Sequence, residues 1–136
     1  MSDVDSTAVR NCWLKIKSAQ GEEAFVDNFY QYMFDNYSET RALFPEGLSE
    51  QKANILTTLD NVINGIDFIE KLETELLSLG KRHKNLGIKK EMFEAFIITI
   101  VDVAKMTSND TLNNKELIAW ESAFRAISNI MLKAYD

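Results

Sequence analysis

Residues 69–88 read IEKLETELLSLGKRHKNLGI, and the spacing of their apolar residues decides the fold class. Ile69, Leu72, Leu76 and Leu79 are three or four positions apart, the spacing that places side chains on one face of an α-helix. The same rhythm continues to His83, the only histidine of the chain, before Gly87 interrupts it. The pattern predicts a helix from about Ile69 to Asn85 with the imidazole facing the core.

A single core-facing histidine has two interpretations that its spacing leaves open. Most such histidines are hydrogen-bonded core residues, because buried polar groups are generally paired. The alternative is a metal ligand, but a zinc site needs three or four protein donors, and the chain offers only His83 and a distant Cys12. Haem brings its own equatorial nitrogens and requires as little as one protein donor. In that case the second ring nitrogen should donate to the Leu79 carbonyl and fix the ring.

The rest of the chain also shows helical periodicity, with almost no period-two alternation and a single proline. An all-α fold is therefore expected. In the first half of the chain we predict a helix capped by Ser6 or Thr7, a second helix after Gly21, and a short piece from Ser38 to Phe44 that ends at Pro45. A further helix should start at the half capping box of Ser49. The second half should contain a strongly apolar central helix from near Lys89, a loop from Thr107 to Asn114, and a last helix with Leu117 to Met131.

Composition sets limits on the function. The 136 residues suit one domain, 1–136, and the net charge of −6 argues against a surface that follows nucleic-acid phosphates. Cys12 lies among apolar neighbours, which favours a buried small hydrophobe over a reactive thiol. No signal peptide or bilayer-spanning stretch is evident, so we expect a soluble, cytoplasmic protein without a membrane partner.

Several residues taken together resemble the globin family, most closely the haem domain of flavohaemoglobins and bacterial single-domain haemoglobins. They are Tyr30, Phe44 before Pro45, Gln51, the stretch 79–83, Gly87-Ile88 and Trp120. Fourteen positions separate Tyr30 from Phe44, and 32 separate Gln51 from His83, as in that group. The resemblance covers about residues 5–135, although the stretch between Phe44 and Gln51 is shorter than is typical. It implies a globin fold, a helical sandwich around a haem pocket.

The resemblance also implies a role for individual residues. His83 is expected to be the proximal ligand of a non-covalent haem b, and Phe44 the aromatic ring stacked on the haem. Tyr30 and Gln51 resemble the distal pair, whose hydroxyl and amide would each stabilise bound dioxygen by roughly 1 kcal/mol or more in a low-dielectric site. Considered singly, Phe44 and Tyr30 would be ordinary core residues and Gln51 a solvated residue at a helix start.

Other pocket residues are expected from the same resemblance. The apolar lining would come from Ile55 on the distal side and from Leu79, Ile88, Phe93 and Ile97 on the proximal side. Arg82 or Lys84 could hold the haem propionates, or both could be solvated surface charges. Phe96 and Trp120 are expected to be core residues without contact to the cofactor.

The chain departs from flavohaemoglobins on the proximal side. Where they carry a tyrosine and a carboxylate that support the histidine, this sequence has Phe93 and, near the end of the chain, Tyr135. A weaker electronic push is expected, which disfavours peroxidase-like cleavage. There is no second histidine for bis-histidine iron, no methionine in the expected distal segment, no Cys-x-x-Cys-His motif and no Gly-rich nucleotide-binding motif.

Three functions are compatible with these residues. The first is reversible dioxygen binding for storage, delivery or sensing, with nitric oxide or carbon monoxide as other ligands. The second is nitric oxide dioxygenation, an enzymatic activity that would need electrons from an external reductase. The third is a regulatory protein with a globin fold and no haem, because a fold does not fix a function.

Overall fold

The computed structural model of the chain describes residues 4–44 and 49–135, and it contains no strand within those ranges. Six α-helices and three 3₁₀ segments account for most of it, which confirms the all-α prediction. The helices are α1 (Ser6–Ser18), α2 (Glu22–Asn36), α3 (Ser49–Asn64), α4 (Glu73–Asn85), α5 (Met92–Thr107) and α6 (Asn114–Leu132); the 3₁₀ segments are Ser38–Leu43, Ile66–Leu72 and Lys133–Tyr135. Pro45, where the short piece was predicted to end, and the side chain of Ser49 lie outside the described part.

The core is organised around α5 and α6. α5 packs against α1, α2 and α6, as expected for its broad apolar surface, and α6 also packs against α1 and α4. Trp120 on α6 is fully buried, stacks on Trp13 with ring centroids 6.0 Å apart, and donates from Nε1 to the Ile100 carbonyl at 3.0 Å. The expectation that Trp120 is a core residue is confirmed.

Two helix starts differ from their predicted positions. Asp5, not Ser6 or Thr7, caps α1 by accepting from the Ala8 N–H at 3.0 Å, because the Ser6 hydroxyl is bound to Asp67 instead. The helix predicted from Ile69 begins only at Glu73. The segment before it is a 3₁₀ helix, broken where Phe68 adopts non-helical angles (φ −131°, ψ 61°).

The chain reverses between α4 and α5 at Gly87, whose φ of +94° lies in the left-handed region that favours glycine. A turn follows in which the Met92 N–H donates to the Lys89 carbonyl. α5 therefore begins at Met92 rather than near Lys89. The predicted loop before α6 is present, and α6 opens with a full capping box between Asn113 and Glu116.

Two helices approach each other closely at Gly80, where α4 meets the last turn of α6. A Cβ added to Gly80 would lie 2.3 Å from the Met131 carbonyl oxygen, far inside van der Waals contact. The absence of a side chain at residue 80 thus sets the distance between α4 and α6. His83 lies one turn further along α4, so the same contact places the imidazole.

Cys12 lies in the middle of α1 with no exposed surface. Burial raises the pKa of its thiol well above the usual range. The prediction of a buried small hydrophobe is confirmed. Separately, no helix in the described ranges has the length and apolar character needed to cross a membrane.

Candidate cofactor pocket

A predominantly apolar cleft opens between α2, α3, α4, α5 and α6. It consists of two adjoining lobes with cavity volumes of about 130 and 260 Å³. The residues that line both lobes, and so join them, are Tyr30, Phe44, Ile55, His83, Ile88, Phe96 and Met131.

Most of the residues predicted to form the site meet in this cleft. The nine that line at least one lobe are Tyr30, Phe44, Gln51, Ile55, Leu79, Arg82, His83, Ile88 and Phe93. Ile97 is buried in the core but is not among the lining residues. Of the two candidate cations, Arg82 lines the larger lobe and Lys84 lines neither.

The His83 imidazole is oriented by the backbone of its own helix. Its Nδ1 lies 2.8 Å from the Leu79 carbonyl oxygen, and because a carbonyl only accepts, Nδ1 must carry the proton. This confirms the predicted partner. Burial lowers the pKa of His83, although the bond to Leu79 opposes the shift. The neutral ring then has its lone pair on Nε2, the atom that ligates a metal.

This donor set fits haem and does not fit a metal held by protein ligands alone. No group of three or more His, Cys, Asp or Glu side chains that could hold a metal ion occurs in the described part of the chain. A single neutral imidazole in a cleft lined by Phe44, Ile55 and Ile88 offers one axial donor and apolar walls. Haem asks for both of these features.

The proximal neighbours of His83 are aromatic. The ring centroids of His83 and Phe93 are 6.4 Å apart, and Tyr135 packs edge-on against Phe93 at 5.5 Å. The Tyr135 hydroxyl donates to the Ile88 carbonyl at 2.7 Å. The Leu79 carbonyl is therefore the only hydrogen-bond partner of the His83 ring in the described residues. This agrees with the expected departure from flavohaemoglobins.

Tyr30 provides a phenol to the same cleft. Its side chain is buried, and burial raises its pKa to about 12, so the hydroxyl keeps its proton at neutral pH. Within the described residues the Tyr30 hydroxyl has no hydrogen-bond partner. Gln51, in the first turn of α3, lines the larger lobe, and Ile55 lines both lobes one turn later.

Phe44 is held by a cation that no sequence pattern indicated. Arg41 donates from Nη1 to the Phe44 carbonyl at 2.8 Å, and its guanidinium lies 5.3 Å from the Phe34 ring centroid. The Phe44 ring meets Tyr30 edge-on at 5.5 Å. Arg41 thus fixes the segment that carries the predicted stacking ring.

Several lining residues were not anticipated. Phe96, expected to be a core residue away from the cofactor, lines both lobes, as does Met131. Met33, three residues after Tyr30 on the same face of α2, lines the smaller lobe and lies 3.8 Å from the Thr99 hydroxyl. Helical spacing from Tyr30 could have indicated Met33, whereas Met131 depends on the α4–α6 contact.

Comparisons with known proteins agree with this architecture. A bacterial globin of Campylobacter jejuni superposes with a TM-score of 0.79 at 22% identity, covering 96% of both chains. An engineered carbene transferase, built on a nominal nitric oxide dioxygenase of Rhodothermus marinus, superposes with a TM-score of 0.84 at 19% identity, covering 99% of this chain and 94% of that one.

A curated relative and a family model extend the comparison to sequence. Flavohemoprotein B of Dictyostelium discoideum is 23% identical over 109 residues, which is 79% of this chain. The chain spans only 26% of that relative's length. The model of the Globin family matches residues 27–131, which include α3, α4, α5 and most of α2 and α6. The chain belongs to the globin family.

Proposed function

We propose that residues 1–136 form one globin domain that holds a haem b without covalent attachment and binds dioxygen reversibly. The observation that carries the proposal is His83, a neutral imidazole whose Nδ1 is bound to the Leu79 carbonyl, in a predominantly apolar cleft that Phe44 and Ile55 also line. Phe44 would pack on the ring face, and Arg82 at the mouth would pair with a propionate. A bound haem would supply an iron atom with a free coordination position for a diatomic gas.

The chain's own contribution to gas binding would be a pair of hydrogen-bond donors. The Tyr30 hydroxyl is protonated and has no protein partner in the described residues, so it can donate to a ligand without breaking an existing bond. The Gln51 amide offers a second N–H from α3. The apolar surroundings, including Ile55, exclude competing water and strengthen such bonds. Slow release of dioxygen is the expected result.

The simplest test is the absorption spectrum of purified protein in ferric, ferrous, oxygenated and carbon-monoxide-treated forms. A stoichiometric Soret band and a stable oxygenated spectrum are expected. Absence of a Soret band even after haem addition would contradict both haem-dependent functions and favour a haem-free regulatory protein.

Tyr30→Phe should accelerate dioxygen release by about 10-fold, because a lost hydrogen bond of roughly 1.4 kcal/mol corresponds to a factor of ten. Stopped-flow displacement of dioxygen by carbon monoxide measures the rate. Tyr32→Phe is the matched control on the same helix, since the Tyr32 hydroxyl is bound to Asp102 at 2.6 Å and does not line the cleft. Equal release rates in Tyr30→Phe and the unaltered protein would remove Tyr30 from the distal site.

Nitric oxide dioxygenation is a second candidate. The names of two relatives, a nominal nitric oxide dioxygenase and a flavohemoprotein, favour it. It would use the same Tyr30 and Gln51, and an external reductase would return one electron in each cycle. Nitric oxide consumption that continues for many turnovers with a reductase, with nitrate as product, would favour this function over simple binding. A single stoichiometric burst would favour dioxygen binding.

A further inference from the structure

Positive charge is concentrated in one short stretch of an acidic chain. Residues 81–91 contain five Lys and Arg against one Glu, which is a net charge of +4, while the rest of the sequence carries −10. Such an asymmetry produces a field that orients a charged partner before contact.

Four cations of this stretch differ from most others in the chain in forming no ion pair. Lys81, Arg82, Lys84 and Lys89 are all exposed and have no acidic partner in the described structure. We call these four residues the basic rim. Elsewhere the ion-paired cations are Arg10, Lys15, Lys17, Lys52, Lys115, Arg125 and Lys133.

Part of the basic rim borders the mouth of the cofactor cleft. Arg82 is exposed and lines the larger lobe, and so does Leu86, whose side chain is 52% exposed. Ile88, directly before Lys89, lines both lobes. A protein docked on this surface would bring its own cofactor close to the edge of the cleft.

Helix stability explains only part of this charge. Arg82 and Lys84 lie in the last turn of α4, where cations interact favourably with the negative end of the helix dipole. Lys89 lies beyond the helix end, after Gly87, and gains nothing from that dipole. Lys81 and Lys84 are three residues apart on α4 and are therefore neighbours on its exposed surface.

We propose that the basic rim is the docking surface for an acidic electron-donor protein that reduces the bound haem. This inference rests on the proposed function, because it requires a haem in the cleft. In the step itself, a reduced flavin of the partner would give up one electron, and a ferric haem held by His83 would accept it. The unpaired cations would attract the partner's carboxylates, and the exposed Leu86 would be buried at the centre of the contact.

The test uses the haem-loaded full chain and reduced flavodoxin, an acidic flavin carrier, as the probe. The double variant Lys81→Glu, Lys89→Glu leaves the cleft's lining residues unchanged. The control is Lys105→Glu, an exposed cation without an ion pair in the last turn of α5. It lies about 20 Å along that helix from Met92, which lines the cleft.

Two readouts are needed, and each has a defined outcome. At low ionic strength the double variant should be reduced about 10-fold more slowly than the control, and salt should slow the unaltered protein. The Kd of the double variant for oxidised flavodoxin, measured by titration without electron transfer, should also rise by about 10-fold. Reduced riboflavin, which is small and has no protein surface with which to dock, should reduce all variants at one rate. Equal reduction and equal Kd in both variants would overturn the docking proposal.

The remaining outcomes distinguish the docking surface from the cofactor site. The double variant could instead lose binding to anionic phospholipid vesicles or nucleic acid while flavodoxin still reduces it at the control rate. That result would assign the rim to another partner and overturn the proposal. Failure of the unaltered protein to retain haem would contradict the proposed function itself. Normal dioxygen release from the double variant, combined with unchanged reduction, would contradict the docking surface alone.

Discussion

His83→Gly should abolish stable haem retention, because His83 is the only histidine of the chain and the cleft therefore offers no second imidazole. Without that bond the cofactor would be held only by apolar contacts with residues such as Phe44 and Ile55. The Soret absorbance that remains with the protein after gel filtration measures the effect. We expect most of it to be lost, whereas unaltered protein should keep one haem per chain.

Added imidazole makes this experiment specific. The glycine leaves a gap in which free imidazole can bind, so millimolar imidazole should restore a Soret band to His83→Gly. Ser78→Gly, at an exposed interior position of α4, likewise places a glycine in the helix, at a propensity cost of about 0.5 kcal/mol, and should retain haem. Full retention by His83→Gly without imidazole would exclude His83 as the ligand.

Gly80→Ala should destabilise the protein by about 2 kcal/mol or more, the range of an overpacked core. Alanine favours helix over glycine by roughly 1 kcal/mol, so intrinsic propensity alone predicts the opposite sign. The added Cβ meets a backbone oxygen, that of Met131, at 2.3 Å, and backbone cannot rotate away as a side-chain tip can. Equilibrium urea unfolding, with and without haem, measures the change in the free energy of unfolding.

Ser78→Ala is the matched control for this second prediction. It makes a substitution to alanine on the exposed side of α4 and should leave stability unchanged or slightly raised. Gly80→Ala should also have a weaker affinity for haem, because α4 carries His83 and the substitution displaces α4 from α6. A Gly80→Ala protein as stable as the Ser78→Ala control would show that α4 and α6 do not approach as closely as described.

The sequence predicted what periodicity and short-range geometry determine. The spacing of three and four residues through Leu76 and Leu79 correctly predicted that His83 faces inward. The helical repeat correctly predicted that the Leu79 carbonyl is the hydrogen-bond partner of its ring. These relations depend on residues within one helix, so no knowledge of the tertiary structure was needed. The family resemblance then gathered nine residues that do meet in one cleft.

The sequence could not predict the features that depend on contacts between helices or on the backbone path between them. α5 is apolar nearly all round, so periodicity could not tell that Phe96 rather than Ile97 lines the cleft. The break at Phe68 leaves Ile69 buried outside an α-helix, although its spacing fits the pattern of α4. Arg41 acts through a backbone carbonyl, a contact for which helical spacing gives no signal.

The burial of Cys12 has a practical consequence for labelling chemistry. It is the only cysteine in the sequence, it is fully covered, and its raised pKa suppresses the thiolate that maleimides attack. A cysteine introduced at an exposed position, such as Lys81 or Lys105, would therefore be modified selectively in the folded protein without first replacing Cys12. Fluorescent or spin probes could then report partner contact at one defined point of the surface.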